Sequence, residues 1–399
     1  MKKNQITLLA ITSAFVLTLS ACTKEENLST SESSPTIASP ELIEENGTNP
    51  DEEIFKQTQN NERISHSSYV YTLSNDAAQN SVLCFKQQAN GHLTFETTVM
   101  SGGTGNGGGL GSQGAIISDK RRGLLYAVNA GDNSVSSFTI GSNGHPTLVS
   151  TVPSGGVRPV SLTNHKNKLY VVNAGSNSIH GFTIGMGGIL IPISGSMQST
   201  GAGAAQISFS PNGNYLYVTE KATNMISRFM VNSNGTAGPA TSIPSVGQTP
   251  FGFEFARNNY MIVSNAAGGA PAASSLTSYA GINNGNLNAV NGAIASNQSA
   301  ACWVATTKFG RYAFVTNTAS DNISSYYIGH SGSLHLLHPA IVSGDGPLDM
   351  VVTKNNFNAY TLCGGDHTIQ EYSRTLLGGL SLIGSVTKLP PSAVGMATY

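Results

Sequence analysis

Short stretches of alternating apolar and polar residues recur from Tyr69 to the end of the chain. Each repeat has an apolar strand with an aromatic residue, then a polar turn, then a second alternating strand ending in Phe or Tyr. The clearest copies are residues 125–129 with 134–138, and residues 169–173 with 178–182. Apolar residues at every second position predict β-strands, and the polar segments between these stretches predict turns.

These repeats follow one another at a regular distance. The equivalent positions are residues 71, 126, 170, 217, 262, 314 and 360, with spacings of 55, 44, 47, 45, 52 and 46 residues. Four short strands in about 40–50 residues are typical of one blade of a β-propeller. Seven copies therefore predict an all-β fold, a seven-bladed propeller with four antiparallel strands per blade.

The two ends of this region predict how the ring closes. Six copies follow an apolar strand that would lie innermost in the blade, whereas the first copy has none before it. The last seven residues, 393–399, resemble the innermost strand of the seventh copy, residues 347–353. We therefore expect the C-terminal strand to join the first blade, which removes a free sheet edge.

Residues 1–21 have the pattern of a signal peptide. Lys2 and Lys3 precede an apolar stretch, residues 6–19, that is too short for a typical bilayer-spanning helix. Small residues then precede Cys22, which resembles the lipobox of bacterial lipoproteins. The resemblance implies cleavage before Cys22, lipidation of its thiol and a place in the cell envelope, with the outer membrane favoured by Thr23. The alternative is an ordinary secretory signal with a chance cysteine.

Charge divides the rest of the chain into two parts, although the whole carries a net charge of only -1. Residues 22–68 hold ten acidic and three basic side chains and few aromatic ones, which predicts a disordered acidic tether. Residues 69–399, the predicted propeller, hold fifteen basic and eleven acidic side chains. The nearly neutral total argues against a nucleic-acid-binding protein.

Several segments of the propeller region resemble a known family. Residues 209–213, 216–224, 251–253 and 301–305 are similar to those of the seven-bladed lactonase propellers, which include 6-phosphogluconolactonase and carboxymuconate cyclase, and the Leu-Tyr-Val-Val-Asn strands resemble YVTN-type repeats. The resemblance implies a ligand at the mouth of the central channel. It also implies lactone hydrolysis by His, Arg and Glu residues of the innermost strands.

Alignment on the turn residue Ser210 and its equivalents places those family positions at Arg158, Ala205–Gln206 and Gly252. Hydrolysis of a lactone needs a group that activates water and donors that stabilise the oxyanion. The chain lacks the family's residues at these positions, so we do not expect catalysis by the family's route.

Other polar and aromatic residues are predicted at the channel mouth. The predicted ligand-binding residues are Gln113, Arg158, Gln206, Phe251, Trp303, Asp349, Glu220 and Lys221, and the catalytic candidates are Arg158, Asp349, Glu254 and His367. Arg158 could hold an anion, Trp303 could stack on a ring, and a desolvated Asp349 or Glu254 could act as a base. Alternatively, Arg158 and Asp349 bridge strands or are solvated, and Trp303 packs between blades.

Two functions follow from these residues. The first hypothesis is a monomeric, lipid-anchored propeller that binds a small molecule, a glycan or an envelope protein. The alternative is a hydrolase of sugar lactones or related cyclic esters. No cofactor is expected, nor any metal, because His335 and His338 would face opposite sides of a strand. Cys84, Cys302 and Cys363 do not form a disulfide framework, although one bridge between Cys84 and Cys363 stays possible.

Overall fold

The alternating segments form strands throughout residues 68–399, the part of the chain that the computed structural model describes. The strands make seven antiparallel sheets, and each has its sequence-adjacent strands paired side by side. The innermost strands of successive sheets contact one another in an order that closes a ring. The predicted seven-bladed propeller is confirmed. The signal peptide, the lipidation site Cys22 and the tether lie outside the described residues.

The blades are numbered along the chain. The first three blades contain β1 (Tyr69–Leu73), β2 (Ser81–Gln87) and β3 (Leu93–Met100); β4 (Ile116–Asp119), β5 (Leu124–Asn129), β6 (Ser134–Ile140) and β7 (Pro146–Pro153); and β8 (Pro159–His165), β9 (Lys168–Asn173), β10 (Ser178–Ile184), β11 (Leu190–Pro192) and β12 (Gln198–Ser199). Blades 4 and 5 contain β13 (Ala204–Phe209), β14 (Tyr215–Glu220), β15 (Met225–Met230) and β16 (Thr241–Pro244); and β17 (Pro250–Phe255), β18 (Met261–Asn265), β19 (Ser275–Ala280), β20 (Asn288–Ala289) and β21 (Ile294–Ala295). Blades 6 and 7 contain β22 (Ala301–Thr306), β23 (Tyr312–Asn317), β24 (Asn322–Ile328) and β25 (Leu334–Val342); and β26 (Pro347–Val352), β27 (Asn358–Cys363), β28 (Thr368–Arg374) and β29 (Leu380–Val386). The last strand is β30 (Val394–Thr398), and single 3₁₀ turns occur at Met186–Gly188, Arg257–Asn259, Ala267–Gly269, Ile282–Asn284, Thr318–Ser320 and Leu376–Gly378.

The C-terminal strand completes blade 1, as predicted. β30 pairs antiparallel with β1, with Val70 opposite Thr398 and Tyr71 opposite Ala397. Beyond the paired strands, the backbone N–H of Tyr69 donates to the carbonyl of Tyr399 at 3.0 Å, and the reverse bond measures 2.8 Å. β30 also contacts the innermost strands of blades 2 and 7. The ends of the propeller are therefore joined at the innermost position.

The core lies between neighbouring blades. Aromatic residues at equivalent positions of the second strands are fully buried, and four tyrosines use their hydroxyl groups to tie their blade to the next. Tyr71, Tyr170, Tyr217 and Tyr360 donate to backbone carbonyls of the following blade, at Gly144, Gly235, Ile282 and Gly91, over 2.7–2.8 Å. The tyrosine of the second strand, by which the repeats were recognised in the sequence, therefore also links neighbouring blades.

Glycines between blades make room for the ends of the second strands. A Cβ added at Gly103 would lie 2.6 Å from the side chain of Asn129, and one at Gly247 would lie 2.1 Å from Asn265. Because real Cβ atoms do not approach so closely, these connectors need glycine. Part of the high content of 45 glycines therefore reflects close packing between consecutive blades.

Three further observations concern residues 68–399. Cys84 and Cys363 are buried free thiols, so the bridge considered between them is absent. In this region, no group of His, Cys, Asp and Glu side chains has the arrangement of a metal site. None of its helices has both the length and the apolar character needed to cross a bilayer.

Candidate functional site

The upper face is the side on which each innermost strand begins, and the lower face is the side on which it ends. The inward edge of an innermost strand has no neighbouring strand, so its N–H and C=O groups point toward the channel. Several of these strands also change register at their first residues, as between Pro250 and Phe253 and between Ala301 and Val304. The upper end of the channel therefore presents backbone groups that need partners.

Residues 110–114, which we name the axial segment, occupy this end of the channel. They belong to the connector between blades 1 and 2, residues 101–115. The hydroxyl of Ser112 donates to the carbonyl of Val160 in blade 3 at 2.8 Å, and the backbone N–H of Gln113 donates to Ala205 in blade 4 at 3.1 Å. The indole N–H of Trp303, in blade 6, donates to the carbonyl of Ser112 at 2.7 Å. Since blades 3 and 6 lie on opposite sides of the ring, the segment crosses the axis.

The side-chain amide of Gln113 makes the paired hydrogen bonds that a neighbouring strand would make. Its Nε2 donates to the carbonyl of Val304 at 2.8 Å, and its Oε1 accepts the N–H of Val304 at 3.0 Å. Gln206 makes the same pair with Phe253, at 2.9 and 2.6 Å. The amide of Gln113 thereby pairs with backbone groups of blade 6, and that of Gln206 pairs with those of blade 5. Both side chains are buried.

Gly252 leaves the space that Gln113 fills. A Cβ at this position would lie 2.2 Å from Oε1 of Gln113 and 2.6 Å from the carbonyl oxygen of Cys302. This is the position at which the family resemblance implies a glutamate. In the described structure, no side chain fits there while Gln113 crosses the channel.

Two basic residues hold the start of the axial segment from the rim. Nζ of Lys221 donates to the carbonyl of Gly111 at 2.5 Å and lies 4.8 Å from the ring centre of Phe251. The exposed Arg158 donates from Nη2 to the carbonyl of Leu110 at 3.5 Å, which is a long contact. Burial, and then the nearby charge of Arg158, lower the pKa of Lys221 to about 8.

An aromatic cluster lies beneath these contacts. Phe251 and Trp303 pack edge to face with ring centres 5.0 Å apart, and both are almost completely buried. Their apolar neighbours are Ala205, Ala300, Cys302 and Leu348. Trp303 is therefore a structural contact between blade 6 and the axial segment in this structure.

Two carboxyl groups lie in the channel below the axial segment. Asp349 accepts backbone N–H groups from Met350 at 2.9 Å and from Met396 at 3.0 Å, and a further one from Gly114. Nε2 of Gln113 donates to Glu254 at 3.4 Å. Burial raises the pKa of each carboxyl group to about 7, and the charge of Glu254 adds to the rise at Asp349.

The remaining predicted residues lie apart from this pair. Glu220 is buried and accepts hydrogen bonds from the N–H of Gly201 and the hydroxyl of Thr223, both at 2.8 Å, so it stabilises a turn. His367 lies half-buried in the turn between β27 and β28. Among residues 68–399, its Nδ1 has no hydrogen-bond partner and no ion pair joins it to Asp349 or Glu254.

The axial segment itself was missed by reasoning from the sequence. The available signal was the first repeat spacing, 55 residues, the longest of the six. Its connector has 15 residues, whereas residues 154–158 alone join blades 2 and 3. The additional residues of the longer connector allow it to cross the channel.

Comparison with known proteins supports the architecture. A family model described as "Lactonase, 7-bladed beta-propeller" matches residues 61–200 and 189–273, which is more than half of the chain. No curated protein matches the sequence.

Solved structures share the fold at low sequence identity. One is the periplasmic gluconolactonase of Pseudomonas aeruginosa, 15% identical, with a TM-score of 0.66 over 83% of this chain and 98% of that one. Another, from Bacteroides fragilis, is provisionally named a 6-phosphogluconolactonase; it is 18% identical, with a TM-score of 0.66 over 85% and 99%. A protein of unknown function from Desulfotomaculum acetoxidans is 14% identical, with a TM-score of 0.65 over 84% and 99%.

Proposed function

The chain belongs to the lactonase family of seven-bladed β-propellers, and from this premise we propose that it is a non-catalytic binding protein of the bacterial cell envelope. Its ligand would be a small molecule, a glycan or an envelope protein held at the upper rim of the channel. The lipobox-like sequence that ends at Cys22 supports lipid anchoring, and Thr23 after it favours the outer membrane. 

The axial segment is the observation that carries this proposal. Gln113, Gln206 and Trp303 are buried and direct their polar groups to backbone partners, so they are not presented to a substrate. Gly252 has no room for the glutamate that the family resemblance implies. The side chain that a ligand can reach lies on the upper rim, where Arg158 is exposed and could hold an anionic group.

A second candidate function, lactone hydrolysis, is favoured by Glu254 and Asp349. A carboxyl group whose pKa is about 7 can both take and give a proton at neutral pH. A lactone that enters from the upper face would have to displace Gln113 to reach Glu254, because the two side chains are in contact. The cost of freeing the backbone of Val304 weighs against this route.

Hydrolysis of D-glucono-1,5-lactone and related lactones by the purified chain separates the two functions. The binding function predicts that the wild type and Glu254→Gln both hydrolyse every lactone at the rate of a buffer blank. Lys388→Gln, an exposed change on the connector after blade 7, serves as the surface control. Turnover that Glu254→Gln abolishes and Lys388→Gln retains would contradict the proposal and establish the hydrolase.

A further inference from the structure

Charge is unevenly divided between the two faces of the propeller. The turns between innermost and second strands, on the lower face, contain eight basic side chains and no acidic one. The basic residues are Lys120, Arg121, Arg122, Lys166, Arg257, Lys308, Arg311 and Lys354. On the upper face, the turns between second and third strands contain four acidic residues, Asp76, Asp132, Asp321 and Asp366, and one lysine. The lower end of the channel is therefore strongly positive.

Contacts between consecutive turns hold the basic residues in place. The backbone N–H of Lys308 donates to Oδ1 of Asn356 at 2.7 Å, which joins the turn of blade 6 to that of blade 7. The N–H of Arg257 donates to the carbonyl of Gly310 at 3.3 Å, which joins blades 5 and 6. The turns of blades 5, 6 and 7, which carry four of the eight basic residues, therefore form a connected part of the rim around the channel.

Three lysines of this rim have no counter-ion. Among residues 68–399, the side chains of Lys120, Lys308 and Lys354 form no ion pair with a carboxylate. Asp119, the nearest acidic residue in sequence, is already engaged by the N–H groups of Arg121 and Arg122.

These lysines repel one another. Burial, and then the charge of Lys354, lower the pKa of Lys120 to about 8. Burial, and then the charge of Lys308, lower the pKa of Lys354. Lys120 and Lys354 interact across blade 1, whose innermost strand β30 is not joined to β1 by a turn on this face. An arrangement of like charges that destabilises the free protein favours the binding of an anion.

We propose that Lys120, Lys308 and Lys354 form a binding site for a phosphate group at the lower mouth of the channel. A phosphate carries up to two negative charges and three terminal oxygens, so it can accept from three separate ammonium groups. A carboxylate has one charge and two oxygens, and matches a single arginine better. The site lies at the opposite end of the channel from the axial segment and does not depend on the proposed function there.

Calorimetric titration of the purified chain with inorganic phosphate and pyrophosphate tests the site. We expect saturable binding, weakened about tenfold by either Lys120→Gln or Lys354→Gln, because each removes one charge-assisted hydrogen bond. Lys388→Gln removes the same charge on the connector after blade 7 and should bind like the wild type. Circular dichroism of each variant confirms that its fold is intact.

A second arm identifies the source of the phosphate. Sedimentation with vesicles of phosphatidylglycerol and phosphatidylcholine, lost in Lys120→Gln and Lys354→Gln, would identify a lipid headgroup. Binding of the soluble anions alone would identify a free phosphate or a phosphorylated metabolite. The proposal is overturned if neither probe binds the wild type, or if Lys388→Gln weakens binding as much as the two rim variants do.

Discussion

Gly252→Ala lowers the free energy of unfolding by about 3–5 kcal/mol, since it combines an overpacked site with broken hydrogen bonds. The new methyl group would lie 2.2 Å from Oε1 of Gln113 and 2.6 Å from a backbone oxygen that cannot move independently. Gln113 must then leave the channel, and the N–H and carbonyl of Val304 lose their partners. Urea unfolding monitored by circular dichroism measures the loss.

Gly109→Ala is the matched control for this substitution. Gly109 lies in the same connector, just before the axial segment, and a Cβ there would meet no atom within 4 Å. Its effect should stay within about 0.5 kcal/mol, the usual range for exposed positions. Equal stabilities of the two variants would mean that Gln113 does not occupy the space beside Gly252.

Removal of residues 393–399 abolishes cooperative folding of the propeller. Without β30, blade 1 loses its innermost strand, and the inward edge of β1 is left unpaired. Asp349 also loses the N–H of Met396, although its carboxyl group remains buried in the channel. The expected cost is about 5 kcal/mol or more, comparable with the whole stability of many proteins. Thermal melting followed by circular dichroism measures it.

Point variants separate closure of the ring from a general effect of truncation. Ala397→Glu places a charge at a buried position of β30 and should lower the melting temperature in the same direction. Lys388→Gln, on the exposed connector before that strand, should leave it unchanged. An unaltered melt after deletion would show that the first and seventh blades hold together without the C-terminal strand.

The architecture could be predicted from the sequence because its determinants are local. Alternation over five to seven residues identifies a strand, and the repeated tyrosine or its equivalent marks the second strand of each blade. Ring closure followed from comparing residues 393–399 with residues 347–353. Each of these signals lies within one repeat or relates one repeat to another.

The arrangement inside the channel could not be predicted in this way. Gln113 and Val304 are 191 positions apart, and which blades face each other across the axis depends on the completed ring. Changes of register at the first residues of the innermost strands also alter where side chains point. The sequence indicated Glu254 and Asp349 as bases on the condition that they are desolvated, and their burial depends on the completed ring.

Trp303 gives the most direct test of the claim that the axial segment fills the upper end of the channel. It is the only tryptophan in the chain, so tryptophan fluorescence reports on the surroundings of this one side chain, which include its contact with Ser112. We predict blue-shifted emission and acrylamide quenching several-fold weaker than that of N-acetyltryptophanamide in the same buffer. Quenching as strong as that of the free indole would show that Trp303 faces solvent and that the channel is open.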